Sequence, residues 1–183
     1  MNTEKYLVIS DIHGALSGAK LLLEAIEFHK PEVILCLGDI LYHGPRNDLP
    51  ESYAPKKVIG IMNSLPVPVI AVRGNCEAEV DQMVLNFAVS ADYNILPLGN
   101  RIAFMSHGHI YGPDRLPSLK ENDIFLSGHT HIPTAEKANG VYLLNPGSAG
   151  IPKNGHPASY GVLDENGFTV YQADHTAYMK IGF

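Results

Sequence analysis

Five short apolar runs in this chain each end in a residue that can bind a metal ion. In order they are Tyr6–Ser10 before Asp11-Ile12-His13-Gly14; Val33–Leu37 before Gly38-Asp39; Val69–Val72 before Arg73-Gly74-Asn75; Ile102–Ser106 before His107; and Ile124–Ser127 before Gly128-His129-Thr130-His131. Each run has the length of a buried strand. In an open α/β sheet such strands bring their carboxyl ends to one edge, and ligand sites form outside that edge. Seven candidate ligands spread over roughly 120 residues of sequence, namely Asp11, His13, Asp39, Asn75, His107, His129 and His131, are thereby expected to converge.

Between the runs the periodicity changes. Leu16, Ala19, Leu22, Leu23 and Ile26 recur at helical spacing until Lys30-Pro31 breaks the pattern, giving a strand–loop–helix–strand unit. A second unit passes from Val33–Leu37 through a turn-rich loop, Tyr42–Asn47, and a helix near Lys56–Ser64 into Val67–Val72. Another short helix is expected within Glu77–Leu85. The second half is richer in strands, at Ile102–Ser106, Ile124–Ser127, Val141–Leu144, Tyr160–Leu163 and Phe168–Gln172, with a hairpin at Asn166-Gly167. The expected fold is α/β, two packed mixed β-sheets flanked by helices, in one domain of 183 residues. The apolar residues after Tyr160 either complete the second sheet or form a subunit contact.

Composition narrows the function classes. With 19 acidic against 13 basic residues the net charge is −6, which argues against broad binding to nucleic acid or to an anionic membrane surface. The apolar stretches are too short to span a bilayer, and Met1–Lys5 leads straight into the first strand without a signal peptide, so a cytoplasmic location is expected. The two cysteines, Cys36 and Cys76, provide neither a disulfide framework nor a CxxC zinc site.

The ordered series Asp11-x-His13, Gly38-Asp39, Gly74-Asn75, His107 and Gly128-His129-x-His131 resembles the calcineurin-like metallophosphoesterase family over roughly residues 6–150. Asn75-Cys76-Glu77, Tyr42–Asn47 and Asn145-Pro146-Gly147-Ser148 resemble its YfcE-type subgroup of small bacterial phosphodiesterases. The resemblance implies a four-layer sandwich and two divalent ions, one held by Asp11, His13, Asp39 and His131. The other would be held by Asp39, Asn75, His107 and His129, with Asp39 bridging. Manganese is expected by likeness to the subgroup, although the donor types equally suit iron, zinc, nickel, cobalt or magnesium. The implied reaction is direct attack of metal-activated hydroxide on a small or activated phosphodiester, with Asp39, Asn75 and His107 at the reacting centre. Paired ions about 3.5–4 Å apart serve both the attacking and the leaving oxygen in such chemistry.

One position departs from the broader family. Many relatives carry histidine directly after the asparagine ligand, where Cys76 stands here. A thiol hydrogen-bonds weakly, so the general acid is open, with His43 and His109 as further candidates.

Each residue also has an ordinary role to set against the chemical one. Asp11 and Asp39 suit turns and helix caps, and Gly-Asn is common in turns, so Asn75 rests mainly on the resemblance. Arg73 suits a structural ion pair, Arg46 either loop packing or an anion contact, and Asn145–Ser148 a supporting turn. The same metal core would serve a phosphomonoesterase, and related folds serve as noncatalytic scaffolds. A homo-oligomer is expected on general grounds only.

Overall fold

The computed structural model describes residues 4–183. Strands Tyr6–Ile9 (β1), Val33–Cys36 (β2) and Val69–Ala71 (β3) pair in parallel, and helices Leu16–His29 (α1) and Pro55–Asn63 (α2) make the crossovers between them. The four-residue β1 alternates strictly. Leu7 and Ile9 face a core shared with Ala19, Leu22, Ile26, Val58 and Met62 of the helices, whereas Tyr6 and Val8 face the second sheet. All four are buried, which is why the run reads as continuously apolar. Leu23, by contrast, turns outward from α1 and is 37% exposed; Leu21 and Ala25 take the buried stripe beside Leu22 and Ile26.

After a short helix, Glu79–Val84 (α3), the chain builds the second sheet from Tyr93–Leu98 (β4), Arg101–Ser106 (β5), Ile124–Leu126 (β6), Thr134–Ala138 (β7) and Val141–Asn145 (β8), in the order β4-β5-β6-β8-β7. Here β5, β6 and β8 run parallel, with the two edge strands antiparallel to them. Ala103, Met105, Ile124, Leu126, Tyr142 and Leu144 meet Val8, Leu35 and Leu37 between the sheets. On the far face Phe104, Phe125, Val141 and Leu143 are covered by Tyr111, Leu116 and Leu119, which belong to a segment without helix. The helical layer therefore lies over the first sheet.

The last three strands, Ser159–Asp164 (β9), Gly167–Gln172 (β10) and Ala177–Gly182 (β11), return to the first sheet, giving the order β11-β10-β9-β1-β2-β3. The residues after Tyr160 thus extend sheet one rather than complete sheet two, because β9 pairs antiparallel with β1. Sequence periodicity predicts neither β4, β7 nor β11, and all three are edge strands. Edge strands are defined by hydrogen bonding to one neighbour more than by burial, and these carry Pro97, the Glu136-Lys137 pair and Lys180. No helix among the described residues is long and apolar enough to cross a membrane.

Candidate metal centre

The parallel strands of both sheets point their carboxyl ends at one edge of the sandwich, where five loops meet. Asp11 and His13 follow β1, Asp39 follows β2, Asn75 follows β3, His107 follows β5, and His129 and His131 follow β6. Five of these seven residues hold backbone conformations with positive φ: Asp11 (55°), His13 (50°), Asp39 (55°), His129 (65°) and His131 (61°). Non-glycine residues are uncommon there, and such strain collects where the backbone must aim side chains inward.

Two sets of donor atoms result. In the first, His13 Nε2 lies 3.2 Å from His131 Nε2, 3.5 Å from Asp11 Oδ1 and 3.6 Å from Asp39 Oδ2, and His131 Nε2 lies 3.3 Å from Asp11 Oδ1. In the second, His107 Nε2 lies 3.1 Å from Asn75 Oδ1, 3.2 Å from His129 Nδ1 and 3.3 Å from Asp39 Oδ2. Asp39 Oδ2 belongs to both.

Hydrogen bonds behind the ring of donors fix their orientation. His13 Nδ1 donates to the Tyr42 carbonyl (2.8 Å), His107 Nδ1 to the Leu37 carbonyl (2.7 Å) and His131 Nδ1 to the Ile151 carbonyl, which turns each Nε2 lone pair into the site. Asp11 Oδ2 accepts from Ser10 Oγ (2.6 Å) and from the His129 backbone N–H (2.9 Å), leaving Oδ1 to face the site. Asp39 likewise commits Oδ1 to the Cys76 backbone N–H at 2.8 Å. The Asn75 amide donates to Cys76 Sγ at 3.2 Å, so its carbonyl oxygen points inward.

Two glycines allow this closeness. A Cβ on Gly74 would stand 2.1 Å from Asp39 Oδ1, and one on Gly128 would stand 1.9 Å from Ser10 Oγ and 2.7 Å from Asp11 Oδ2.

Sequence reasoning expected the Asn145–Ser148 turn to support the site but gave Glu77 no role in it. Glu77 is the most consequential: its carboxylate accepts from the backbone N–H groups of Asp39 (2.8 Å), Ile40 (2.6 Å) and Gly74 (2.5 Å), tying the β2 and β3 loops together. Burial, then the Asp39 charge, push Glu77 up to about 7 against those three bonds. The Asn145–Ser148 turn clasps the β6 loop to the β1 loop, through Asn145 Nδ2 to the Gly128 carbonyl (2.8 Å) and Ser148 Oγ to the Asp11 carbonyl (2.8 Å). A glutamate beside Asn75 carries no distinctive spacing, so only the assembled loops reveal its role, and they show which loops the expected turn joins.

The other candidates separate. Arg73 pairs with Asp92 at 3.0 Å on an exposed surface. The His43 ring packs against Tyr42 and Tyr53, whereas the His109 ring lies 5.4 Å from His107 and 6.2 Å from His129. Cys36 is a buried strand residue. Cys76 is half-buried at the site, and burial together with Asp39 and Glu77 pushes its thiol up to about 12. Arg46 lines the cleft, and so do Asn47, Thr130 and Lys153.

The arrangement fits divalent cations. Asp11 Oδ1 is buried with no hydrogen-bond donor, and lone pairs on nitrogen and oxygen converge on both sets. Full burial opposes ionisation of Asp11, yet the facing His13 and His131 rings hold it well below the usual carboxylate range. His107 is held up at about 9, against burial, by Asp39 and Asp11, and burial, then this charge, drives His129 down to about 4. The cluster therefore favours positive charge at its centre and supplies oxygen and imidazole donors to hold it.

Comparison with known proteins identifies the family. Residues 5–167 match the calcineurin-like phosphoesterase superfamily domain. The chain is 47% identical over 166 residues to phosphodiesterase YfcE of Escherichia coli (strain K12), covering 91% of this chain and 90% of that protein. It is 26% identical over 165 residues to the probable metallophosphoesterase YsnB of Bacillus subtilis (strain 168), covering 86% and 82%. The solved structure of the E. coli phosphoesterase YfcE superposes with a TM-score of 0.93 at 44% identity over 97% of this chain and 98% of that one. Entamoeba histolytica Vps29 complexed with zinc shares the fold, with a TM-score of 0.58 at 20% identity over 97% and 98%. The chain belongs to the calcineurin-like phosphoesterase superfamily and is a hydrolase of that family.

Proposed function

We propose that the protein is a dinuclear metal-dependent phosphodiesterase acting on a small or activated diester. The observation that carries this reading is the shared Asp39 Oδ2 between two inward-facing donor sets. Asp11, His13, Asp39 and His131 would hold one ion and Asp39, Asn75, His107 and His129 the other, with manganese the expected resident. Bound there, such ions supply Lewis acidity to a phosphoryl oxygen and lower the pKa of water. The chain's own contribution is positional. Loop backbones fix Asp39 and His107, the Asn75 amide is held by its bond to Cys76, and the cleft of about 360 Å³ beside them admits a small ester.

The 47% identity to a phosphodiesterase supports the diester over the monoester. We read the chain as one cytoplasmic domain, able to form a homo-oligomer. All seven expected ligands face one another, which favours an enzyme over a scaffold.

Hydrolysis of bis-p-nitrophenyl phosphate by metal-stripped protein, before and after addition of manganese, tests the reading. Turnover restored by manganese and lost in His107→Ala is expected. Turnover unaffected by metal removal, or an unimpaired His107→Ala enzyme, would overturn it.

A further inference from the structure

Arg46 and Lys153 reach the same cleft from different loops, the first after β2 and the second after β8. Both are exposed, and neither side chain has a hydrogen-bond or ion-pair partner among the described residues. Several other cations near the second sheet are engaged: Arg73 with Asp92, Lys137 with Asn122 and the Tyr142 ring, Arg101 with the Tyr142 and Phe183 rings. In a chain of net charge −6, two unpaired cations beside the donor sets are a local reversal of sign.

The charge balance says what they would meet. Asp11 and Asp39 bring two negative charges, against four positive from two divalent ions. A simple diester and a hydroxide nucleophile each bring one negative charge, which balances the centre and leaves Arg46 and Lys153 without a counter-charge. The neighbouring groove, along the same two loops, carries Asp48 and Glu51 beside Gly150 and Ile151. Those carboxylates repel an anion placed farther out, so the favourable position is bounded to the cleft itself.

Building on the phosphodiesterase reading, we propose that Arg46 and Lys153 form a second anion subsite. The preferred substrate is then a small phosphodiester whose non-leaving arm is short and carries its own carboxylate or phosphate. The guanidinium suits a planar or tetrahedral oxyanion through paired N–H donors, and the lysine adds a mobile point charge.

The test compares ethyl p-nitrophenyl phosphate with its 2-phosphonoethyl analogue on the manganese-loaded enzyme and its Arg46→Ala/Lys153→Ala variant. Non-hydrolysable phosphonate counterparts of both esters are titrated calorimetrically in parallel. Wild type is expected to prefer the anionic arm about tenfold or more in kcat/KM and in binding, with the preference shrinking as salt is raised. The double variant loses that preference, and the charge-keeping exchange Arg46→Lys/Lys153→Arg retains most of it. Equal loss for both esters would show that the cations act on the scissile phosphate alone and would overturn the subsite. If wild type hydrolyses neither ester, the phosphodiesterase reading falls, and the calorimetric comparison still decides the subsite: equal affinities overturn it and a preference for the anionic arm sustains it.

Discussion

His13 Nε2 and His131 Nε2 stand 3.2 Å apart, while the other nitrogen of each ring donates to a backbone carbonyl. In their neutral forms both rings present lone pairs to each other. A cation shared between them, proton or metal, turns that repulsion into attraction, and Asp11 Oδ1 completes the arrangement from 3.3 Å and 3.5 Å.

Metal removal therefore acts on stability as well as activity. At manganese concentrations a hundredfold above Kd the fold is expected to gain about 2.7 kcal/mol, or roughly 5–10 °C in Tm for a chain of this size. The gain should shrink in His131→Ala. Thermal melts of stripped and loaded protein measure it, and coincident curves would contradict the site.

Glu77 positions candidate ligands from both the β2 and β3 loops without facing the donor sets. Replacing it with Gln turns an amide N–H₂ toward backbone N–H groups, at a cost of about 1–3 kcal/mol. Metal affinity is expected to weaken by about 10–100-fold, as when other outer partners of metal ligands are removed. Competition with a chromogenic chelator reads this directly. Wild-type affinity in Glu77→Gln would assign the residue to folding alone.

Far from the cleft, His29 accounts for part of the acid lability. Burial, then the charges of Lys5 and His175, push its folded pKa down to about 4 from 6.5. The unfolded chain thus takes up the proton first. Stability is fully present above about 6.5 and is lost as pH falls towards 4. For a half-buried ring, solvent screening holds the loss to about 1–2 kcal/mol. Denaturant titrations at pH 7 and 4.5 should show a smaller difference in His29→Gln than in wild type; an unchanged difference would exclude His29.

Cys76 is expected to be a sluggish thiol. Its rise from 9.0 to about 12 lowers the thiolate fraction near pH 8 about a thousandfold. In metal-stripped protein a disulfide reagent should label it correspondingly slowly, and the buried Cys36 should not react before unfolding. Labelling of Cys76 at the rate of a free cysteine would refute the electrostatic picture. Because such a thiol stays protonated, Cys76→Ser should retain p-nitrophenyl ester hydrolysis within about tenfold.

The strands that carry ligands were legible in the sequence because β1, β2, β5 and β6 are buried on both faces, so their apolar runs stand out against the polar loops that follow. The convergence of seven candidate donors was legible because each follows a short apolar run. The edge strands β4, β7 and β11 were not, since β7, for one, is recognisable only by its pairing with β8, whereas the edge strand β3 was legible from its apolar run. The role of Glu77 was beyond reach, and the Asn145–Ser148 turn was expected as a support without its partners, because both join loops that meet only after both sheets have formed. Lys153 has the same character: nothing in its neighbours sets it apart from any surface lysine until the cleft brings it beside Arg46.

The left-handed backbone at Asp11, His13, Asp39, His129 and His131 has a consequence for transplanting such a centre. Aspartate and histidine are coordinating residues and are also among the side chains that this conformation tolerates best. Coordination chemistry and loop geometry thus select the same residue types here. A scaffold given these side chains on ordinary right-handed loops would point them elsewhere, so a graft must copy the turns before it copies the ligands.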